Sequence, residues 1–240
     1  MSGLTVSDIS YNYGAKRALD GVDFAVDPGT FCALLGPNGA GKSTLFSLLT
    51  RLFTAPSGRI TVAGYDLASD PRRALAQMGV VFQQPTLDLD LSVHRNLSYF
   101  AALHGLSGRE AASRIDAALE RLDMIERASE RVRNLNGGHR RRTEIARALV
   151  ANPSVLLLDE ASVGLDAAAR RSITGHVHEL SKNDGLTVLW ATHLADEVFD
   201  DDQLLILHRG QLLENGRAGD LRGDMALTDY FLSRTAEGAA

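Results

Sequence analysis

The sequence predicts an α/β protein with a parallel-strand core and an inserted all-helical segment. Three observations predict it. The first third is β-rich, with short apolar or alternating runs separated by turn residues. From residue 93 to about residue 150 the apolar positions recur at helical spacing. The last third returns to strands alternating with helices, the pattern of parallel pairing. With 240 residues, 45% hydrophobic and 23% charged, the chain can build a sizeable core and is not disordered as its general state.

In chain order, strands are expected at Leu4–Tyr13, 22–26, Phe31–Leu35 and 59–63, with turns at Asp27-Pro28-Gly29 and Pro56-Ser57-Gly58. A helix is expected after Gly41, running through Leu45, Leu48, Leu49 and Leu52. Residues 79–82 form a further short strand. In the middle, Leu97, Phe100, Ala101 and Leu103-His104 make one helical stripe. Ile115, Ala118, Leu119 and Leu122 make a second, and 105–108 and 134–138 are the breaks. Then come a strand at 155–158, a helix at 167–180, a strand at 187–191, and a hairpin of 204–207 with 211–214 about Arg209-Gly210. The small polar tail, 235–240, is expected to fray.

Composition narrows the function. Lys+Arg is 25 and Asp+Glu is 30, a net charge of −5. An acidic chain is a poor general binder of polyphosphate, so nucleic acid is not expected as a partner and any phosphate site must be local. Cys32, the one cysteine, lies in an apolar run and reads as a small buried hydrophobe rather than a reactive thiol. Residues 1–5 do not resemble a secretory leader. No apolar stretch approaches the roughly 20 residues of a membrane span. A soluble, cytoplasmic chain is expected, with any membrane part supplied by another polypeptide.

The segment Gly36-Pro37-Asn38-Gly39-Ala40-Gly41-Lys42-Ser43-Thr44 fits the phosphate-binding loop G-x-x-x-x-G-K-[ST]. It follows an apolar strand and opens a helix, the context such a loop requires. Its glycines let successive N–H groups point at one phosphate, and the helix start adds partial positive charge. Lys42 should reach the β- and γ-phosphates, Ser43 should ligate Mg²⁺, and Thr44 should donate to a phosphate oxygen. The strand 155–158 runs into Asp159-Glu160. Asp159 is placed to hold Mg²⁺, and Glu160 to orient and deprotonate an attacking water.

At 135–142 stands Leu135-Asn136-Gly137-Gly138-His139-Arg140-Arg141-Arg142, 24 residues ahead of Asp159. Here the chain resembles the ATP-binding cassette family, whose signature is usually Leu-Ser-Gly-Gly-Gln. The resemblance runs from Tyr13 to about Gly210. It implies a P-loop NTPase core with a mixed sheet, an N-terminal antiparallel β subdomain and an inserted helical subdomain. One domain over 1–240 is then expected, with its core at 1–84 and 152–240 and the helical part at about 85–151. It also implies an ATP-hydrolysing subunit that pairs with a second copy, the loop of each facing the signature of the other, and that drives an integral membrane permease from the inner face of the cell membrane.

By the same resemblance, Tyr13 matches the aromatic that stacks on adenine, with Tyr11 as the alternative. Gln83 matches the residue that touches Mg²⁺ or water, although Gln84 adjoins it. The loop Val163-Gly164-Leu165-Asp166 matches the one that contacts the opposite subunit. His193 matches the histidine on the γ-phosphate, and Asn136, Gly137 and Gly138 the groups that close over a partner's ATP.

Three departures stand out. Asn136 and His139 replace the usual serine and glutamine. An imidazole at 139 could add positive charge when protonated. Ala161 and Ser162 stand where proline and threonine are common, which should loosen the turn after Glu160. Arg140, Arg141, Arg142 and Arg147 read either as steering groups for ATP or a partner's acids, or as a solvated basic face. The stretches 135–142 and 82–90 look closest to the exporter subunits associated with pyrroloquinoline-quinone-dependent alcohol catabolism. The other classes that fit are a soluble cassette ATPase and an ATP-binding regulatory module with weak hydrolysis.

Overall fold

The computed structural model describes residues 3–237. Its strands are β1 (Leu4–Tyr13), β2 (Lys16–Val26), β3 (Phe31–Leu35), β4 (Arg59–Val62), β5 (Tyr65–Asp66), β6 (Met78–Val81), β7 (Val155–Asp159), β8 (Thr187–Thr192), β9 (Gln203–His208) and β10 (Gln211–Arg217). Its helices are α1 (Lys42–Leu49), α2 (Pro71–Ala76), α3 (Val93–Leu103), α4 (Gly108–Glu120), α5 (Gly137–Leu149), α6 (Ala167–Asp184), α7 (Ala218–Arg222) and α8 (Leu227–Glu237). Of the tail expected to fray, 238–240 lie outside the described residues, and 235–237 belong to α8.

Two sheets result. One is antiparallel, in the order β2-β1-β4-β5. The other is mixed, in the order β10-β9-β3-β8-β7-β6. Five of its strands run parallel, and β10 pairs antiparallel at the edge. β3, β7 and β8 are buried at every residue, which is why they read as continuous apolar runs rather than alternating ones.

The period of two sends their side chains to opposite faces. Ala33, Leu35, Leu156, Leu158, Val188 and Trp190 pack with Ile145 and Leu149 of α5 and Ile173 and Val177 of α6. Cys32, Leu34, Val155, Leu157, Leu189 and Ala191 pack with Leu45 and Leu49 of α1 and the apolar face of the antiparallel sheet. Cys32 is therefore core, and burial pushes its thiol well above the ordinary range.

The structure corrects several expectations. α1 ends at Leu49. Arg51 takes a left-handed backbone (φ 58°) and Leu52 is 67% exposed, so the predicted fourth apolar position belongs to no helical face. In α3, Leu97 and Ala101 are buried while Leu103 is 65% exposed, so that stripe is half as wide as expected. Two short 3-10 turns, Ile125–Arg127 and Val132–Asn134, interrupt the helical segment. α6 continues four residues beyond 180, to a left-handed Gly185 (φ 68°) that terminates it.

Candidate functional site

The parallel strands deliver their carboxyl ends to one edge of the mixed sheet, where open α/β sheets bind ligands. β3 ends there and turns through 36–41 into α1. The turn is tight enough to require glycine at two points. A Cβ on Gly36 would lie 2.5 Å from the Leu207 carbonyl oxygen, and Gly41 sits at φ 114° against the Ala18 carbonyl. The Gly36 N–H donates to the Thr192 carbonyl (3.3 Å), tying the loop to the end of β8. Lys42 is 5% exposed. Its ammonium folds back along the loop to donate to the carbonyls of Gly36 (2.6 Å) and Pro37 (3.3 Å).

Glu160 gathers the ends of three other strands. Its backbone is left-handed (φ 47°), unusual for a residue with a Cβ, and its N–H donates to the Ala191 carbonyl at 2.9 Å. Oε2 accepts from Gln83 Nε2 (2.9 Å). Oε1 lies 3.4 Å from Lys42 Nζ and 3.5 Å from His193 Nδ1. Gln83 is thus the glutamine at the site, and Gln84 is an exposed neighbour. Asp159 is buried, and its Oδ1 has no hydrogen-bond partner. Burial, with the Glu160 charge beside it, lifts its carboxyl to about 6 against the pull of Lys42. A buried carboxylate oxygen without a donor suits a hard divalent cation.

Of these groups Lys42, Gln83 and Glu160 open on a cleft of about 550 Å³ lined by residues 37–44 and Tyr13. The Tyr13 hydroxyl is 3.5 Å from that of Thr44. Tyr11 stacks on Phe53 (centroids 5.6 Å apart) and does not line the cleft, so Tyr13 is the aromatic at the site. Lys16, Arg17 and Arg209 also line it. They escaped sequence reasoning because isolated basic residues in strand ends and turns carry no pattern.

None of residues 135–139 lines this cleft. Asn136 is the N-cap of α5, its Oδ1 accepting the His139 N–H at 2.8 Å. Gly137 and Gly138 are the first two helical residues, not a lead-in to the helix as the sequence suggested. They abut the next loop, since a Cβ on Gly137 would lie 3.2 Å from Leu165 and one on Gly138 3.3 Å from Ala169. Asp166 caps α6 through the Ala169 N–H (2.8 Å), and Val163 is 41% exposed beside it. Partial burial, then the charges of Arg127 and Arg142, lower the His139 pKa, so the protonated form is disfavoured.

The arginines are neither steering groups nor a solvated face. Arg141 is buried, paired with Glu144 (2.7 Å) and donating to the carbonyls of Phe82 and Gln83. Glu144 accepts the Thr86 N–H, and Arg147 donates to the Thr86 carbonyl and hydroxyl. Arg140 donates to the carbonyls of Val132 and Arg133, and Arg142 to the Leu122 carbonyl and the Ser172 hydroxyl. They staple α5 to the Gln83 segment and to its neighbours. In the turn after Glu160, Ala161 is buried and the Ser162 hydroxyl donates to a buried Glu197.

A family model described as ABC transporter matches residues 19–163. The chain belongs to the ABC transporter family. It is 37% identical to the daunorubicin resistance ATP-binding protein DrrA3 of Streptomyces coeruleorubidus, over 93% of this chain and 71% of that one. With the linearmycin resistance ATP-binding protein LnrL of Bacillus subtilis it shares 36% identity, over 91% and 70%. Among solved structures it is similar to cbiO1 of Clostridium perfringens, part of the ABC transporter complex cbiONQ (TM-score 0.85, 29% identity, 98% and 96% of the chains). It is also similar to MJ1267, an ATP-binding cassette in its ADP conformation (TM-score 0.84, 26% identity, 97% and 99%). The chain is an ATP-binding subunit of an ABC transporter, and its enzymatic activity is ATP hydrolysis. Subunits of this family work with membrane permeases, and no helix among the described residues is long and apolar enough to cross a membrane.

Proposed function

We propose that two copies of this chain close head to tail around two ATP molecules and thereby drive a separate permease as an exporter. The observation that carries this is the separation of two half-sites. Glu160 collects Lys42, Gln83 and His193 at the cleft, whereas Asn136, Gly137 and Gly138 form a helix start elsewhere on the chain. A helix N-terminus outside the cleft offers N–H groups to a phosphate held by another copy.

In this reading Tyr13 stacks on adenine, and the loop Gly36, Pro37, Asn38, Gly39, Ala40, Gly41, Lys42, Ser43 and Thr44 wraps the phosphates, donating through those backbone N–H groups that face them; Pro37 has no N–H and contributes only shape. Lys42 exchanges its loop carbonyls for the β- and γ-phosphates. Ser43, Gln83 and Asp159 hold Mg²⁺, whose bound charge offsets that of the phosphates. Glu160 orients the lytic water and accepts its proton, and His193 donates to the γ-phosphate. Closure by Asn136, Gly137 and Gly138 of the second copy excludes bulk water.

A groove of about 590 Å³, lined by Phe82, Thr86, Tyr99, Phe100, Leu103 and Arg147 among others, adjoins the Gln83 segment. It has the apolar walls to seat a permease helix at the inner face of the cell membrane. Residues 85–151 then form the lobe that moves against the core. Export is favoured by the relatives' names, which include Nod factor export as well as drug resistance, against one iron importer. The stretches 135–142 and 82–90 favour the exporters associated with pyrroloquinoline-quinone-dependent alcohol catabolism, and a permease gene beside this one in that setting would support it.

The direct test is Glu160→Gln. ATP binding should persist while steady-state hydrolysis falls by about 10²–10⁴-fold. Hydrolysis at the parental rate would show that Glu160 is not the base.

A further inference from the structure

Glu197, 1% exposed in the turn after His193, plays no part in the mechanism above. Its carboxylate is acceptor-only, and both oxygens are used. Oε1 accepts from the Ser162 hydroxyl. Oε2 accepts from the Thr192 hydroxyl (2.5 Å) and from Trp190 Nε1 (3.0 Å). All three donors are neutral. Among the described residues no cation pairs with it, and such a buried carboxylate is a costly way to join elements that apolar packing could join, so stability alone does not account for it.

What the donors control is more telling. Ser162 stands two residues after Glu160, in a turn where the Val163 N–H donates to the Glu160 carbonyl (3.2 Å) and the Leu165 N–H to the Ser162 carbonyl (3.2 Å). Glu160 itself holds a left-handed backbone, which fixed surroundings must impose. Thr192 immediately precedes His193. Its hydroxyl donates to Glu197 and accepts the Leu194 N–H (3.0 Å), so the backbone is pinned on both sides of the histidine. Its carbonyl meanwhile accepts from Gly36 of the phosphate loop.

We infer that Glu197 is a positioning residue: through Ser162 and Thr192 it fixes the Glu160 carboxylate and the His193 imidazole relative to each other and to the phosphate loop. The inference rests on the reading of Glu160 and His193 given above. A displacement of about 1 Å at either group is enough to slow a reaction that depends on in-line geometry.

The test is steady-state ATP hydrolysis by the full chain and its Ser162→Ala, Ser162→Thr and Glu197→Gln variants, each with a thermal melt. Ser162→Ala and Glu197→Gln should lower kcat by about tenfold or more with KM for ATP within about twofold, because binding is intact and only the transition state is misaligned. Ser162→Thr keeps the hydroxyl and should restore kcat. Trp190, the one tryptophan, should change its emission in Glu197→Gln, which reports the altered bond independently of activity. Should Glu197→Gln fail to fold, the milder Ser162→Ala decides. Parental kcat in Ser162→Ala overturns the inference, as does equal loss in Ser162→Ala and Ser162→Thr, or a fall in kcat matched by melting temperature. A parental chain that hydrolyses no ATP overturns the reading of the site itself, and this inference with it.

Discussion

Asp159 shows most plainly what a single side chain gives up for the site. Its carboxyl sits at about 6 because burial and the Glu160 charge oppose ionisation. In the unfolded chain it ionises at its ordinary value. Between roughly pH 4 and 6 the folded state therefore binds the extra proton, and stability falls as pH rises through that window. The difference is about 3 kcal/mol once both states are ionised. In metal-free buffer, Asp159→Asn should gain on the parental chain in urea melts from pH 4 to pH 6 and hold a constant lead above that. A lead that does not vary with pH would mean that the Asp159 carboxyl is not held out of ionisation. Residues in the phosphate loop were legible in the sequence because their chemistry is set by local backbone and spacing. Glu144 and Glu197 were not legible, since each acts on partners distant in sequence: Glu144 on Thr86, and Glu197 on Ser162. The arginines of α5 were misread for the same reason: nothing local reveals that a guanidinium at 141 meets carbonyls at 82 and 83.

At the scale of elements, α5 carries the second half-site in the proposed reading, and its start depends on one cap. Asn136→Ala removes the acceptor for the His139 N–H and should cost about 1 kcal/mol, visible as a lower denaturation midpoint. Asn136→Ser keeps a capping oxygen and should leave stability within a few tenths of a kcal/mol. It should also leave the ATP affinity of a single chain unchanged while altering turnover. A large loss of single-chain affinity would place Asn136 in the cleft of its own copy, against the geometry. The buried strands β3, β7 and β8 were legible as continuous apolar runs, and the long helix α6 by its helical spacing. Two-residue β5, six-residue α2, and α7 and α8 were not anticipated. The first three are too short to show a period, and α8 follows a hairpin that already seemed to end the fold. Leu52 was assigned to α1 by spacing alone, and the left-handed turn at Arg51 removed it from the helix.

For the whole molecule, the decisive feature of the proposal is that the sheet edge assembles half of a reaction centre. Strand ends at 35, 81, 159 and 192 converge on the phosphate loop, with Gln83, Glu160 and His193 just beyond three of them. The order of motifs along the chain announced this edge, because parallel strands joined by crossovers put each following loop on the same side. What the sequence could not reveal was the packing of Gly137 and Gly138 against 165–169. That packing joins the start of α5 to the loop that carries the exposed Val163, and residues 135–139 do not line the cleft. In the proposed reading such a surface is completed by a second copy.

The most direct measurement is the solution mass of Glu160→Gln by light scattering after size exclusion, with ATP and Mg²⁺, with ADP, and without nucleotide. The account predicts the mass of two chains with ATP and of one chain otherwise. It also predicts return to one chain when Gly137→Asp is added, with ATP still bound by each copy. A single-chain mass at saturating ATP, or a dimer indifferent to a carboxylate at 137, would contradict it.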